Sequence, residues 1–379
     1  MTGIAVNATT LGERPTGLGV YTREIVRRLA AEGILDGSSI YTGDPQAFTG
    51  IRDGVTIIPW SDWRRGTQGH LARLWWLQTT FRRAVVHSGS GLIYSTVPEG
   101  TVCLPKSVRQ IVTVHDIIPV RFPALHRNLV WYYRVVVPQL LRSSAAVICN
   151  STYTRDDLLR WSGLSGLDIY VVPEGFDANT YTAEFSGNEA LPHGVELPYF
   201  LWVGDMRPYK NLERVLEAFA SMRVPGMSLI VAGKADARYY PGILGTTERL
   251  GLTGWVQYLG YVPDAELARL YRHATSLIFA SLYEGFGLPP LEAMACGCPV
   301  IASRTTSVPE VCGSAVMYVD PLSVQSIASA MKEVASSSAL WERLHIAGLE
   351  RARLFSWERA ARQIGDVLAT TSGGPNDRD

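Results

Sequence analysis

The sequence predicts an α/β protein built as two doubly wound parallel-sheet domains. Short apolar runs alternate with amphipathic segments almost from end to end, glycines stand at the ends of the apolar runs, and the pattern starts afresh near residue 198. A chain of 379 residues also exceeds what one ordinary core accommodates.

In the first half the runs GIAVNA, IVTVHD, AAVICN and IYVVPE read as strands, with GVYTREIVRRLAAEG as the helix behind the first. In the second half YFLWVG, SLIVAG, VQYLG and SLIFAS read as strands, with PVIAS after them. They alternate with the helical NLERVLEAFASM, DAELARLYRHA and LPPLEAMACG. Between the halves, FDANTYTAEFSGNEALPHGVELP is rich in Gly, Pro, Asn and Ser and has no clear period. We place a linker there at 181–196, giving domains of 1–180 and 197–355 facing each other across a cleft. The last helix, WERAARQIGDVLATT, suits either half, and the tail SGGPNDRD reads as frayed.

Composition is that of a soluble globular enzyme, 47% hydrophobic and 18% charged, with no apolar run of the roughly 18 residues a membrane span needs. No signal peptide is expected from the N-terminus. Five cysteines without a C-x-x-C pair point to core thiols in a reducing cytoplasm. The zero net charge hides an asymmetry. Residues 1–150 carry 16 Lys and Arg against 9 Asp and Glu, +7, so the remainder carries −7. The basic half therefore suits an anionic partner, either nucleic acid or an anionic membrane surface.

The chemistry concentrates in SLYEGFGLPPLEAMACGCPVIAS, residues 281–303. In open parallel sheets, ligands sit beyond the carboxyl ends of strands, against helix N-termini. Here a strand ends, Gly285 and Gly287 allow close backbone approach, and Pro289 and Pro290 suit the first turn of a helix. The amides of Gly285, Phe286, Gly287 and Leu288 then favour an anion or a sugar oxygen. The carboxylates of Glu284 and Glu292 suit vicinal diols, which present two hydroxyl donors side by side. Taken singly, a glutamate in a first helical turn only complements the dipole and a glycine loop is only a turn. Their conjunction between two buried strands is what points to a ligand.

Three further elements lie at strand ends. In VGDMRPYKN, Arg207 and Lys210 precede a helix and would neutralise a leaving diphosphate, unless they are simply a solvated pair. In IVTVHDIIP, His115 and Asp116 follow a strand. His115 there donates to a sugar hydroxyl, positions an acceptor, or is merely satisfied by backbone. In ERPTGLGVYT, Gly17 and Gly19 precede a helix and would approach phosphate or acceptor, but the third glycine of G-x-G-x-x-G is replaced by Thr22.

These residues resemble the retaining glycosyltransferases of family 4, of GT-B fold, and within them the bacterial mannosyltransferase branch that builds O-antigens and exopolysaccharides. The likeness rests on EGFGLPPLEAMACGCPVIAS with its E-x7-E, on VGDMRPYKN and on HDIIPVRFP. It extends from TGLGVYTREIVRRL through NSTYTRDDL, VPEGFD, GYVPDAELARLY and SVPEVCGSAVMYVDP to FSWERAA. The resemblance implies that Glu292 holds the nucleotide ribose and that Glu284, Gly285, Phe286 and Gly287 meet the donor hexose. It implies Lys210 at the diphosphate, His115 at the reacting sugar, and Gly17 and Gly19 in the N-terminal glycine loop. Backbone near Tyr261 and Val262 would meet the base. It further implies retention by front-side attack, a final helix (356–371) that crosses back to the first domain, GDP-mannose as the favoured donor, and no metal or other cofactor. The D-x-D at Asp377–Asp379 lies in the tail. One departure matters: where relatives often read E-P-R-K-N this chain has RPYKN, which leaves Arg207 as the candidate second cation.

For the acceptor side, residues 60–86 hold five Arg, one Asp, four Trp and one Phe. That mixture suits peripheral attachment to an anionic inner leaflet, where a polyprenyl-diphosphate-linked saccharide acceptor would reside, or else an ordinary core under an arginine-capped surface. A nucleotide-sugar epimerase of the same build, and a transferase using a UDP-hexose or deoxysugar with a small acceptor, remain alternatives. A dehydrogenase lacks its complete glycine fingerprint. A nucleic-acid-binding protein accounts for neither the −7 half nor the glutamate pair, so no nucleic acid is expected.

Overall fold

A computed structural model describes residues 3–12, 17–51, 54–60, 66–184, 191–222 and 224–373. The tail D-x-D, and parts of the 60–86 stretch and of the expected linker, lie outside the described residues. The chain divides into two compact units, Met1–Gly175 with Trp357–Asp379, and Phe176–Ser356.

The first unit carries seven parallel strands: β1 (Ile4–Ala8), β2 (Ser39–Thr42), β3 (Thr56–Pro59), β4 (Leu92–Ser95), β5 (Arg109–Val114), β6 (Ala146–Cys149) and β7 (Ile169–Val171). Their order is β3-β2-β1-β4-β5-β6-β7, so the direction of winding reverses between β1 and β4. The apolar face of helix Gly17–Ala31 buries Tyr21, Ile25, Val26 and Leu29. The helix Trp357–Gly373 packs here too. Trp357 is buried with its ring edge-on to Tyr21 at 6.1 Å, and Glu358 accepts from Arg28 at 2.8 Å. Gly365 permits the close approach, since a Cβ there would lie 2.6 Å from Ile34 Cδ1.

The second unit has six parallel strands: β8 (Tyr199–Val203), β9 (Ser228–Ala232), β10 (Val256–Gly260), β11 (Ser276–Phe279), β12 (Val300–Ser303) and β13 (Met317–Val319). The order β10-β9-β8-β11-β12-β13 puts the reversal between β8 and β11, where Leu201 pairs with Leu277. Alternate residues feed two cores. Tyr199, Leu201, Leu277 and Phe279 enter one, while Phe200, Trp202 and Ile278 enter the other. Strands covered on both faces read as continuous apolar runs, and for that reason they stand out in the sequence.

Two of the expected stretches contribute to the cores. Of the expected linker 181–196, the described residues Tyr181 and Val195 are buried in the core of the second unit with Leu191 and the preceding Phe176 packed against it, and the division between the units falls at Gly175 and Phe176. The Gly- and Asn-rich composition of the stretch hid two apolar anchors. The 60–86 stretch divides its described aromatics and arginines between core and surface. It forms helix Gly66–Trp76, a π-helical turn Leu77–Phe81 and helix Arg82–His87. Leu77 and Phe81 lie in the core with Tyr41, Trp76 packs against it, and Arg73 pairs with the buried Glu99 at 2.7 Å. Leu71, Trp75 and Val86 stay exposed. No helix among the described residues is long and apolar enough to cross a membrane.

The strand ends of the second unit are tied by Asn211, a buried residue at φ 64°. Its Nδ2 donates to Ala280 O at 2.8 Å and Pro321 O at 2.7 Å, joining the loop after β8 to the exits of β11 and β13. Replacing it by alanine strands two buried carbonyls and loses asparagine's tolerance of the left-handed region. We expect Asn211→Ala to cost about 2–4 kcal/mol. Asn211→Gly should recover about 1 kcal/mol by relieving only the backbone strain. Denaturant midpoints of the three proteins check both values.

Candidate donor-nucleotide site

At the reversal point of the second sheet, the loops after β8 and β11 meet through one ion pair. Lys210 Nζ donates to both oxygens of Glu284, at 2.8 and 3.0 Å. Both side chains are largely buried, and the ammonium also lies 5.8 Å from the ring centres of Tyr209 and Phe279. The glycine loop is held from two sides. Leu282 N donates to Tyr209 O at 2.7 Å, and Glu284 N donates to Thr306 Oγ1 at 3.1 Å. The Ser307 hydroxyl reaches Glu284 O at 2.9 Å and Phe286 O at 2.8 Å. Thr306 adopts φ 58°, a strained setting for a β-branched residue that this bracing must sustain.

Gly287, at φ 126°, caps helix Leu288–Ala295, with Pro289 and Pro290 in its first turn. The Phe286 side chain is buried against Phe355 and Leu288 packs on the same core, so these two residues offer a ligand main chain rather than side chain. Pro289 and Pro290 carry no N–H and Leu291 N bonds Gly287 O at 3.3 Å, so of the first-turn amides Leu288 N–H is the one left to favour an anion.

Glu292 is the fifth residue of this helix, not a first-turn residue as the sequence suggested. A dipole-complement role fades beyond the first turn, so that explanation weakens. Glu292 Oε2 instead accepts from Tyr271 OH at 3.2 Å. Burial, reinforced by the charge of Asp264, pushes its pKa up to about 8 despite that hydrogen bond. A carboxyl group desolvated this way has Tyr271 OH as its donor among the described residues, and a diol would supply two more.

Arg207 bonds Asp205 through Nε at 2.8 Å, a partner within its own loop. Tyr261 is exposed beyond β10, whereas the Val262 side chain is core and is lost to direct base contact.

In the first unit, His115 follows β5 and is buried. Its Nδ1 meets Glu174 Oε1 and its Nε2 meets Thr96 O, both at 2.9 Å. Glu174 also accepts from Asn150 at 3.0 Å. Both partners of the ring are acceptors, so the imidazole donates twice and is held as a cation. Burial opposes that charge, but the hydrogen bond and charge of Glu174 outweigh it and raise the His115 pKa. The expected contact of His115 with a sugar hydroxyl is therefore not presented by this geometry. Both ring nitrogens are engaged by protein acceptors. Asp116 caps its own turn by accepting from Ile118 N at 2.8 Å. Gly17 and Gly19 lie inside helix Gly17–Ala31 rather than before it, and Gly19 is buried on its packed face. That placement gives Gly19 a packing role.

The structure places Lys210, Glu284, the 285–288 backbone and Glu292 in the second unit, with Lys210 and Glu284 in contact. It places His115, Asp116, Gly17 and Gly19 in the first. Sequence reading missed Thr306, Ser307, Asn211, Tyr271 and Glu174. Thr306 and Ser307 directly follow β12 in SRTTSVPE, so the strand-end rule that found Glu284 also covered them.

Comparison with known proteins agrees with this geometry. Residues 188–351 match the family described as glycosyl transferases group 1, and residues 15–180 match glycosyltransferase family 4. The O-antigen chain mannosyltransferase B of Escherichia coli is 34% identical over 271 residues, which is 67% of this chain and 68% of that protein. The O-antigen chain mannosyltransferase RfbU of Salmonella typhimurium is 25% identical over 87% of this chain and 90% of its own length. The chain spans about a third of the serotype-specific mannosyltransferase WbdA of Escherichia coli, at 28% identity and 33% of that protein's length. Among solved structures, the sucrose-phosphate synthase of Thermosynechococcus elongatus superposes with a TM-score of 0.78 at 22% identity, covering 98% of this chain and 99% of that one. Anabaena HepE, solved with UDP and glucose, gives 0.75 at 20% identity, covering 98% and 100%. The chain belongs to the family 4 glycosyltransferases of GT-B fold, in the branch of the O-antigen mannosyltransferases.

Proposed function

We propose that this glycosyltransferase moves a hexose, mannose in preference, from a nucleoside-diphosphate sugar to a growing saccharide in cell-surface polysaccharide synthesis. GDP-mannose is the favoured donor and a lipid-linked glycan the favoured acceptor. The observation that carries the reading is the Lys210–Glu284 pair beside the capped end of helix Leu288–Ala295. It sets a cation, a hydroxyl acceptor and main-chain amides within one strand reversal. The names of the O-antigen relatives support mannose.

In this reading Glu292 grips the ribose diol and Glu284 a donor-sugar hydroxyl, while Lys210 turns from Glu284 towards the diphosphate. The bond from anomeric carbon to phosphate oxygen stretches, and the developing charge is absorbed by Lys210 and the amides of residues 285–288. The acceptor hydroxyl attacks from the face the diphosphate leaves, and its proton passes to the departing phosphate oxygen, so configuration is retained. Protein cations carry the leaving charge, and no metal is assigned a role.

Lys210→Ala should lower kcat by about 10²–10³, as expected for losing one preorganised charge at the leaving group. Glu292→Gln should weaken donor binding by about 10–100-fold through the lost charged hydrogen bonds. Calorimetry with GDP-mannose and UDP-glucose checks both donor preference and these losses. Unchanged turnover and affinity in both variants would sink the reading. Transfer should persist in EDTA.

The pH dependence has a definite sign. The free protein holds Glu292 neutral below about 8, while the diol prefers the carboxylate. Donor affinity should therefore rise from pH 6.5 to 8.5, by up to roughly tenfold per unit below the pKa. Glu292→Gln should flatten this profile. Raising the pKa from 4.5 to about 8 on folding costs stability that grows between those two values and is complete above 8, so the same variant should also raise the melting temperature of unliganded protein at pH 8.5 and leave it nearly unchanged at pH 4.

A further inference from the structure

One feature of the first unit has no part in donor binding. Residues 117–155 contain five arginines and no Asp or Glu. Within them, helix Arg127–Trp131, a π-helical turn Tyr132–Val136 and helix Val137–Ser143 form one continuous rod. Pro138 has no N–H to offer the carbonyl of Arg134, and Val137 N donates to Tyr132 O instead, which widens the turn.

Arg127, Trp131, Arg134, Val135, Pro138 and Arg142 recur at spacings of three and four along one face of this rod. Trp131 is 60% and Val135 41% exposed, and the three arginines are exposed as well. An open depression of about 460 Å³ lies on this face, lined by Arg134, Val135, Pro138, Gln139, Arg142 and Trp161. Arg127, Arg134 and Arg142 make no ion pair among the described residues. The carboxylates of the adjacent helix Thr152–Ser162 are already committed. Asp157 is held by Arg121 and by Arg160 at 3.6 Å, and Asp156 by Arg155 at 2.8 Å. The face thus keeps its full positive charge beside exposed indole and aliphatic surface.

We propose that this arginine–tryptophan face docks the protein on an anionic bilayer surface, with phosphate headgroups seated between Arg134 and Arg142 and Trp131 entering at headgroup depth. The charge complementarity is one-sided, since no acidic group among the described residues pairs with these arginines. An exposed tryptophan flanked by guanidinium groups matches the bilayer interface, whose outer layer is anionic and inner layer apolar. A soluble anion uses the arginines but leaves Trp131 and Val135 in water. The proposal places the membrane face here rather than on the 60–86 stretch, where Arg73 is paired and Trp76 and Phe81 pack in the core region.

Flotation of the full chain with vesicles tests this, with no sugar nucleotide present so that the result is independent of the transfer reading. Wild type should rise with phosphatidylglycerol-containing vesicles and not with pure phosphatidylcholine, and recovery should fall as salt screens the charge. Arg134→Gln/Arg142→Gln should lower the partition coefficient about 30-fold, from roughly fivefold per guanidinium near an anionic surface. Trp131→Ala should lower it further, while circular dichroism and GDP binding match wild type. Equal recovery with both vesicle types overturns the proposal. So does unchanged anionic-vesicle binding by the double arginine variant, or complete displacement from vesicles by soluble glycerol phosphate. Loss of binding on Arg82→Gln/Arg83→Gln alone would also overturn it.

Discussion

The contact between Lys210 and Glu284 is where the second unit turns from scaffold into site. Each residue ends a loop leaving a central strand, and the two strands are neighbours only because the sheet reverses its winding between them. A largely buried ammonium and carboxylate cannot remain apart without each incurring a large desolvation penalty. Their pairing therefore sets the spacing of the two loops before any ligand arrives. In the function proposed above, the same pairing holds the cation ready, and a diphosphate would draw Lys210 from one set of oxygens to another.

Much of the surrounding structure serves to hold that arrangement. Asn211 ties the loop of Lys210 to two other strand exits, and Thr306 with Ser307 fastens the loop of Glu284. Thr306 is strained, and Glu292 sits protonated in a desolvated setting beside Asp264. Both are costs to the unliganded fold that a ligand rich in hydroxyls and phosphate would offset. In the first unit the solution differs. The buried charge of His115 is balanced internally by Glu174 and a backbone carbonyl, so it orders the ends of β4 and β5 without needing a ligand.

The central strands were legible because burial on both faces writes an unbroken apolar run, as in YFLWV and SLIVA. The short SIYT, TIIP and LIYS of the first sheet, and MYV of the second, escaped notice. Four residues or fewer with polar members do not declare a period. The loops that carry Lys210 and Glu284 were legible because each directly follows an apolar strand and precedes a helix. Their partners were not. Nothing in the local pattern of Tyr271 or Glu174 says that either faces an ionisable group far along the chain. Nor does the composition of the basic-aromatic stretch 60–86 say which side of a helix each residue occupies.

By itself, then, the sequence determined the alternation of strands and helices, the loops that end on ligand-suited residues, and the family. All of these are encoded in segments shorter than one strand–loop–helix unit. Tertiary structure alone decided which charges are already spent. It paired Arg73 with Glu99, gave both nitrogens of His115 to protein acceptors, and left Arg134 and Arg142 exposed. Whether a charge is available depends on what burial brings within hydrogen-bonding distance, and for these residues that partner lies on another element of the fold.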